Sequence, residues 1–190
     1  MHTPNLIIRP AQPTDANLIA QAVSMGIGHQ ETLQQYCGAN YLQVLAQLAA
    51  MPGTLYSYQN AWVAQYDGTP AGAIIGYDGA QFELLRQATC QFICQQTGNM
   101  PATCGETEPG EFYIDTLAVL PTFRHAGIGR KLITALCQQA TQMGHARVGL
   151  LVDPENTKAQ ALYTSVGFKN IGDKPFFGLP MYHFQFATHK

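Results

Sequence analysis

The stretch from Glu111 to Tyr163 constrains the fold of this chain more than any other part. It begins with an apolar, β-branched run that ends at Pro121 and follows Gly110, which is typical of a strand. A short basic loop comes next, and then apolar residues at helical spacing. A second strand, over 147–152, and a second helix complete the unit. The pattern predicts the order strand, loop, helix, strand, helix, within a mixed α/β fold.

The loop between that strand and that helix predicts an anion site. The first amides of a helix lack intrahelical partners, and the helix dipole places partial positive charge there. Arg124 and Arg130 add charges that match phosphate geometry. The loop has no Gly-Lys-Ser/Thr phrase, and only Gly127 and Gly129 of a three-glycine dinucleotide fingerprint are in place. A plain strand-to-helix turn is the alternative interpretation.

Two phrases within this stretch resemble the signatures of the Gcn5-related N-acetyltransferase (GNAT) family. Residues 124–129 read Arg-His-Ala-Gly-Ile-Gly, which fits the family's Arg/Gln-x-x-Gly-x-Gly/Ala at a helix start. The preceding strand ends in Val-Leu-Pro, similar to the family's Val-x-Pro. The second helix matches Asn-x-x-Ala-x-x-Leu-Tyr-x-x-x-Gly-Phe at Asn156, Ala159, Leu162, Tyr163, Gly167 and Phe168. The resemblance covers roughly the last 80 residues.

The resemblance implies a GNAT fold, a twisted and mostly antiparallel sheet that splays at a bulged central strand, with helices on both faces. We expect one domain over residues 1–190, with a helical insertion at about 82–110, where many family members have only a turn. The insertion either forms a wall of the acceptor pocket or a homodimer contact, and the sequence leaves both roles open.

The resemblance also implies that acetyl-CoA is the co-substrate and binds in the opening of the sheet. Strand backbone would pair with the pantetheine arm, loop amides would hold the pyrophosphate, and a helix asparagine would contact the arm. The residues expected to bind acetyl-CoA are Leu117, Ala118, Val119, Arg124, His125, Ala126, Gly127, Ile128, Gly129, Arg130, Asn156 and Tyr163.

For catalysis, the resemblance implies direct acetyl transfer to a primary amine, with Tyr163 as the general acid that protonates the leaving thiolate. The amine must lose a proton before it attacks. Strand alternation places Glu111 and Asp115 on one face, and Asp115, nearest the expected bulge, is the preferred base. The alternatives are a packing role for the tyrosine and hydrogen-bonded or solvated carboxylates.

Charge and cysteine content narrow the class of protein. Eight of the ten Lys and Arg residues lie from Arg124 onward, whereas the first 90 residues contain only two. This asymmetry favours a cationic small-molecule amine as acceptor, although surface scatter explains it equally well. The net charge of −2 lacks the basic excess of a nucleic-acid binder, so we expect no nucleic-acid partner. No apolar run reaches the roughly 18 residues of a membrane span. Five cysteines without zinc spacing indicate free thiols, no metal and a cytoplasmic location.

The same motifs allow two other functions, and the remaining sequence predicts one further helix and two closing strands. A non-catalytic acyl-CoA-binding regulatory module would share the same motifs, and a nucleotide binder could use the same helix terminus. We expect one helix over about 31–50 with an interruption near Gly38. We also expect two short closing strands, 168–171 and 181–186, joined by an aromatic loop over 172–180.

Overall fold

A computed structural model describes residues 5–188 as a seven-stranded sheet with helices packed on both faces. The strands are β1 Leu6–Pro10, β2 Ala61–Tyr66, β3 Thr69–Asp78, β4 Phe112–Val119, β5 Arg147–Val152, β6 Lys169–Phe176 and β7 Leu179–Ala187. The helices are α1 Ala16–Ile27, α2 Gln30–Cys37, α3 Tyr41–Ala50, α4 Phe82–Thr97, α5 Ile128–Gln142 and α6 Thr157–Val166.

The sheet is mostly antiparallel and opens at its centre. Its strand order is β1-β2-β3-β4-β5-β7-β6, and β4 and β5 form the parallel pair. These two strands pair only at Phe112 with Val148 and at Tyr113 with Gly149. Beyond Tyr113 the β5 side of β4 has no strand partner among the described residues. The expected GNAT-like sheet, split at its central strand, is therefore confirmed.

Strand β4 carries a bulge at Asp115. Along β3, Ile75 pairs with Thr116 and the next residue, Gly76, pairs with Ile114, so Asp115 has no opposite residue. A bulge bends its strand and redirects the side chain of the extra residue. The acidic residue that the sequence placed nearest the bulge is the bulge residue itself.

Helix α5 presents a continuous apolar stripe to the sheet. Ile128, Leu132 and Leu136 lie on that stripe and are each at most 1% exposed. Burying each such side chain contributes about 1.5–3 kcal/mol. This packing anchors the start of α5, and with it the glycine loop, directly beyond the end of β4.

The helical insertion packs into the core on the opposite face of the sheet. Phe82, Leu85 and Ile93 of α4 are buried in the cluster that also contains α1 and α3. The Leu55 amide donates to the Thr89 hydroxyl at 2.9 Å, which ties α4 to the segment before β2. After α4, residues 98–111 return to the start of β4, so the insertion ends beside the central strand.

The α2–α3 region and the β6–β7 hairpin differ in how well they match the sequence-based expectations. The long helix is interrupted as expected, because α2 ends at Cys37 and is capped by Gly38, whose φ is 77°. The prediction of an aromatic loop over 172–180 is wrong. Strands β6 and β7 extend through this segment and leave only Phe177 and Gly178 as the turn. Both residues have positive φ, which suits a two-residue hairpin.

Across residues 5–188, the helices are too short or too polar to cross a membrane.

Candidate active site

The open half of β4, Leu117–Val119, provides backbone for an extended ligand. On one side these residues pair with Ile74, Ala73 and Gly72 of β3. On the other side β5 has diverged, so no strand of the described chain covers them. An extended ligand can add to such an edge through main-chain hydrogen bonds. The three residues predicted to bind the pantetheine arm therefore border the opening.

The glycine loop presents a run of free amides to the same opening. His125 and Gly127 have φ values of 66° and 74°, and α5 begins at Ile128. Within residues 5–188, the amides from His125 to Arg130 donate to no carbonyl or side chain. Successive unpaired amides at a helix N-terminus form a concave anion site. The geometry fits a diphosphate group.

Both loop arginines also hold the local backbone in place. Arg124 Nε donates to the Val119 carbonyl at 3.3 Å, and Arg130 donates to the Ser165 carbonyl at 3.0 Å. A guanidinium has five N–H donors, so each keeps donors for an anion. Arg130 thereby links the N-terminal end of α5 to the C-terminal end of α6.

Helix α6 brings Asn156 and Tyr163 to the site in different ways. Asn156 caps the helix, because its Oδ1 accepts from the Ala159 amide at 3.1 Å. The Tyr163 side chain is 9% exposed and its ring centroid lies 5.6 Å from that of Phe168. Burial raises the pKa of Tyr163, which keeps the hydroxyl protonated at neutral pH. That hydroxyl has no hydrogen-bond partner in the described chain.

Packing places Tyr163 beside the loop and the opening. It belongs to the same buried cluster as Ile114 of β4 and Leu150 of β5, which flank the opening. A Cβ added at Gly129 would lie 3.4 Å from Leu162, so the start of α5 is in close contact with α6. The structure therefore brings the predicted acid close to the predicted cofactor groove.

Asp115 is held by two hydroxyl groups at the bulge. Its Oδ2 accepts from the Tyr77 hydroxyl at 2.8 Å, and its Oδ1 accepts from the Thr116 hydroxyl at 2.8 Å. Burial raises the pKa of Asp115, although both hydrogen bonds act in the opposite direction. A carboxylate with a raised pKa is a stronger base, which suits proton removal from an amine.

Glu111 lies in a different environment from Asp115. It is fully buried, and its Oε2 lies 2.9 Å from His183 Nε2 and 2.8 Å from the amide nitrogen of Gln185. Its other oxygen has no hydrogen-bond partner in the described chain. It lies four positions before Asp115 along the chain, roughly 13 Å at about 3.3 Å per residue of extended strand. The structure does not bring the two carboxylates together.

Sequence analysis missed a second carboxylate near the bulge. Glu106, in the loop after α4, accepts a hydrogen bond from the Tyr113 hydroxyl at 2.9 Å. Burial and the charge of Asp115 raise the pKa of Glu106 to about 8, while Tyr113 and Lys174 oppose the shift. The sequence assigned the insertion to a pocket wall or a dimer contact, but no local motif identifies this residue.

Two further tyrosines, from elements far apart in sequence, extend this region. The hydroxyls of Tyr36 in α2 and Tyr56 before β2 lie 3.3 Å apart. Burial raises the pKa of both, and the charge of Asp115 adds to the effect. The side of the bulge facing the insertion is therefore aromatic, hydroxyl-rich and acidic.

Several characterised proteins share sequence with this chain. It is 33% identical over 100 residues to the [ribosomal protein bS18]-alanine N-acetyltransferase of Haemophilus ducreyi, over 53% of this chain and 65% of that protein. It is 38% identical over 71 residues to the N-alpha-acetyltransferase RimI of Mycobacterium tuberculosis, over 36% of this chain and 41% of that protein. The chain thus spans less than two thirds of the length of these curated relatives.

Solved structures share the whole fold. A crystal structure of an acetyltransferase superposes with a TM-score of 0.81 and 29% identity, over 96% of this chain and 100% of the other. A putative acetyltransferase from Salmonella typhimurium, solved with its cofactor acetyl-CoA, superposes with a TM-score of 0.63 and 18% identity over 98% and 95%. The second likeness concerns the fold alone.

The family model of the acetyltransferase (GNAT) family matches residues 38–168. This range includes the insertion, the bulged strand, the glycine loop and Tyr163. Together with the split sheet and the loop of free amides, the match is decisive: the chain belongs to the GNAT acetyltransferase family.

Proposed function

We propose that this protein transfers the acetyl group of acetyl-CoA directly to a primary amine. The observation that carries the proposal is the junction of two features: an uncovered stretch of β4 backbone and the run of free amides at the start of α5. The first suits an extended pantetheine arm and the second suits a diphosphate. The family match and the acetyl-CoA complex of a fold neighbour support the same substrate.

The residues proposed to hold acetyl-CoA form two groups. Leu117, Ala118 and Val119 provide main-chain hydrogen bonds to the arm. Residues 125–130 bind the diphosphate through their amides, and Arg124 and Arg130 add charge at its rim. Asn156 is engaged as a helix cap, so we assign its contact with the arm to the amide nitrogen that the cap leaves free.

Asp115 is the proposed base. It accepts the proton of the acceptor ammonium, directly or through one water, and so exposes the lone pair of the amine. Its position at the bulge, beside the open half of β4, supports this role. We assign Glu111 a structural role in preference, because it is fully buried and paired with His183 at the closed end of the β4–β5 pair.

Tyr163 is the proposed acid. The amine attacks the thioester carbonyl carbon, the carbon–sulfur bond breaks, and the Tyr163 hydroxyl donates its proton to the departing sulfur. The nitrogen of the tetrahedral intermediate loses its second proton to solvent as the amide forms. Solvent then returns a proton to Tyr163 and removes one from Asp115. The sum is amide, CoA and one proton released. The raised pKa of Tyr163 supports the role, since the residue is protonated when the thiolate forms.

The activity test is amine-dependent release of CoA. The purified protein is incubated with acetyl-CoA and a panel of primary amines, and CoA and acetylated amine are both quantified by chromatography. A thiol dye is unsuitable, because the chain contains five free cysteines. We expect the two products in equal amounts. Binding of acetyl-CoA without transfer to any amine would contradict the proposal and favour the regulatory module.

A further inference from the structure

Two tyrosines place two carboxylates side by side at the bulge. Tyr77 and Tyr113 face each other across β3 and β4, with ring centroids 6.0 Å apart. The Tyr77 hydroxyl donates to Asp115 at 2.8 Å, and the Tyr113 hydroxyl donates to Glu106 at 2.9 Å. Because the two rings are neighbours, the carboxylates at their hydroxyl ends are neighbours as well.

The loop that carries Glu106 is pinned to the sheet. The Thr107 hydroxyl donates to the Gly79 carbonyl at 3.2 Å, and Lys174 Nζ donates to the Thr107 carbonyl at 3.2 Å. A Cβ added at Gly79 would lie 2.4 Å from the Glu108 carbonyl oxygen, so backbone meets backbone there. These contacts hold the loop against the sheet, so the position of Glu106 near Asp115 is set by packing and hydrogen bonds.

The position of the two carboxylates in the sheet also points to the acceptor. Asp115 is the bulge residue at the point where β4 and β5 separate, so the pair lies at the mouth of the proposed acetyl-CoA groove. Lys174, whose charge acts on Glu106, already contacts Glu108 at 3.5 Å and the loop backbone. The two carboxylates thus lack a dedicated cation in the described chain at the place where an acceptor amine must arrive.

We propose that Glu106 is a specificity-determining residue that, with Asp115, receives the acceptor as an ammonium ion and excludes amines that carry a neighbouring carboxylate. The inference rests on the proposed function and names its substrate class: a cationic primary amine such as an aliphatic or aromatic monoamine or a diamine. A free α-amino acid would bring a third carboxylate against the pair, and like charges in a partly desolvated site repel strongly.

The surrounding rings favour the same class. Ammonium groups bind well over aromatic faces and beside carboxylates when water is displaced. Glu106 holds the ammonium, Asp115 takes its proton, and the amine then attacks the thioester as described above. Glu106 itself exchanges no proton with the acceptor, so it acts by positioning the amine.

The pH dependence of kcat/KM for the amine follows from this geometry. Glu106 must be ionised to receive an ammonium, and its pKa is about 8. We therefore expect kcat/KM to rise as the pH passes through about 8. The titratable or charged groups that face Glu106 come from the segment before β2 and from β3, β4 and β6: Tyr56, Tyr77, Tyr113, Asp115 and Lys174.

The experiment compares amines with their carboxylated counterparts. Tyramine and tyrosine, and 1,5-diaminopentane and lysine, are assayed with the wild-type protein and with Glu106→Gln. We expect the wild type to prefer each decarboxylated partner by about tenfold or more. Glu106→Gln should raise KM for those amines about tenfold, narrow the preference and abolish the rise near pH 8, while acetyl-CoA affinity is unchanged.

Glu108→Gln is the matched control, because Glu108 is in the same loop but is 47% exposed and contacts Lys174 instead of the tyrosines. It should leave kcat/KM within about twofold. Equal kinetics for Glu106→Gln and the wild type, or a wild-type preference for the amino acids, would overturn the inference alone. A wild type that acetylates no amine would overturn the proposed function and this inference with it.

Folding of the variant is checked by thermal unfolding. The raised pKa of Glu106 means that its ionisation disfavours the folded state, so this contribution to stability is lost as the pH rises through about 8. Glutamine stays neutral, and Glu106→Gln should therefore unfold at the same or a higher temperature than the wild type at pH 9. A lower unfolding temperature with unchanged specificity would also count against the inference.

Discussion

The two halves of β4 differ in what they use for function. The closed half, Phe112 and Tyr113, pairs with strands on both sides and directly follows the buried Glu111. The open half, Leu117–Val119, pairs only with β3 and leads into the loop of free amides. Asp115, the bulge residue, lies between them. One half has backbone groups open to the proposed acetyl-CoA site, and the other lies beside the carboxylates and tyrosines of the proposed acceptor site.

This difference determines which amino-acid substitutions each half tolerates. Backbone recognition depends on conformation, so it is sensitive to glycine replacement and added charge in the loop. Side-chain recognition depends on single functional groups, so conservative substitutions that preserve shape should still abolish it. Four variants separate these dependences, from the largest expected effect to the smallest.

Asp115→Asn should lower kcat/KM for the amine by about 10²–10⁴-fold, because it removes the proposed base without changing shape. The affinity for acetyl-CoA, measured by calorimetry, should stay within about twofold, because the proposed contacts of the pantetheine arm are with the other half of the strand. Asp173→Asn, on the exposed surface of β6, is the control and should leave both quantities unchanged. An active Asp115→Asn variant would assign proton removal elsewhere.

Tyr163→Phe should lower kcat by about 10²-fold and leave the Kd for acetyl-CoA unchanged, since only the proton donated to the thiolate is lost. Tyr182→Phe, at a partly buried position packed against the same cluster, provides the comparison. Single-turnover measurements would show whether the chemical step is the one that slows. If both variants turn over equally fast, Tyr163 is a packing residue.

Gly127→Asp should raise the Kd for acetyl-CoA about tenfold or more, because the new carboxylate lies beside the proposed diphosphate site. Aspartate and asparagine tolerate the left-handed φ of 74° better than most residues. Gly127→Asn therefore carries the same backbone cost without the charge. A similar Kd for the two variants would show that no anion binds at this loop.

Gly149→Ala should destabilise the protein by about 1–3 kcal/mol while leaving the catalytic groups intact. Its Cβ would lie 2.0 Å from the Glu111 carboxyl carbon, so the buried carboxylate must move. Urea unfolding of Gly149→Ala, Glu111→Ala and the double variant gives the coupling energy. Additive effects would show that the closed half does not depend on this contact.

The sequence predicted the elements around the open half well, because their order is encoded in local motifs. The order from β4 to α6, the loop at residues 124–130 and the helix that carries Tyr163 all follow from short phrases and periodicity. The proposed ligand contacts here are made by backbone groups, and backbone conformation is encoded within a few residues by glycine and by the helix start. The bulge at Asp115 followed from the family resemblance and not from periodicity.

The acceptor side could not be predicted in the same way. Glu106 reaches Asp115 through Tyr113 and Tyr77, a chain of contacts between a loop and two strands that are distant in sequence. No periodic pattern encodes such a contact. The prediction for the β6–β7 segment was wrong for a related reason. Pairing between Pro175 and Pro180 extends both strands through residues of low strand propensity, which the local sequence does not indicate.

Binding of acetyl-CoA tests the central claim most directly. The unfolding temperature of the wild-type protein should be measured in titrations with acetyl-CoA, CoA, ATP and NAD. A ligand that binds only the folded state stabilises it by RT ln(1 + [L]/Kd). We predict a saturable rise with acetyl-CoA and CoA, none with NAD or ATP, and a weaker rise for Gly127→Asp. Stabilisation by ATP or NAD without any by acetyl-CoA or CoA would contradict the account.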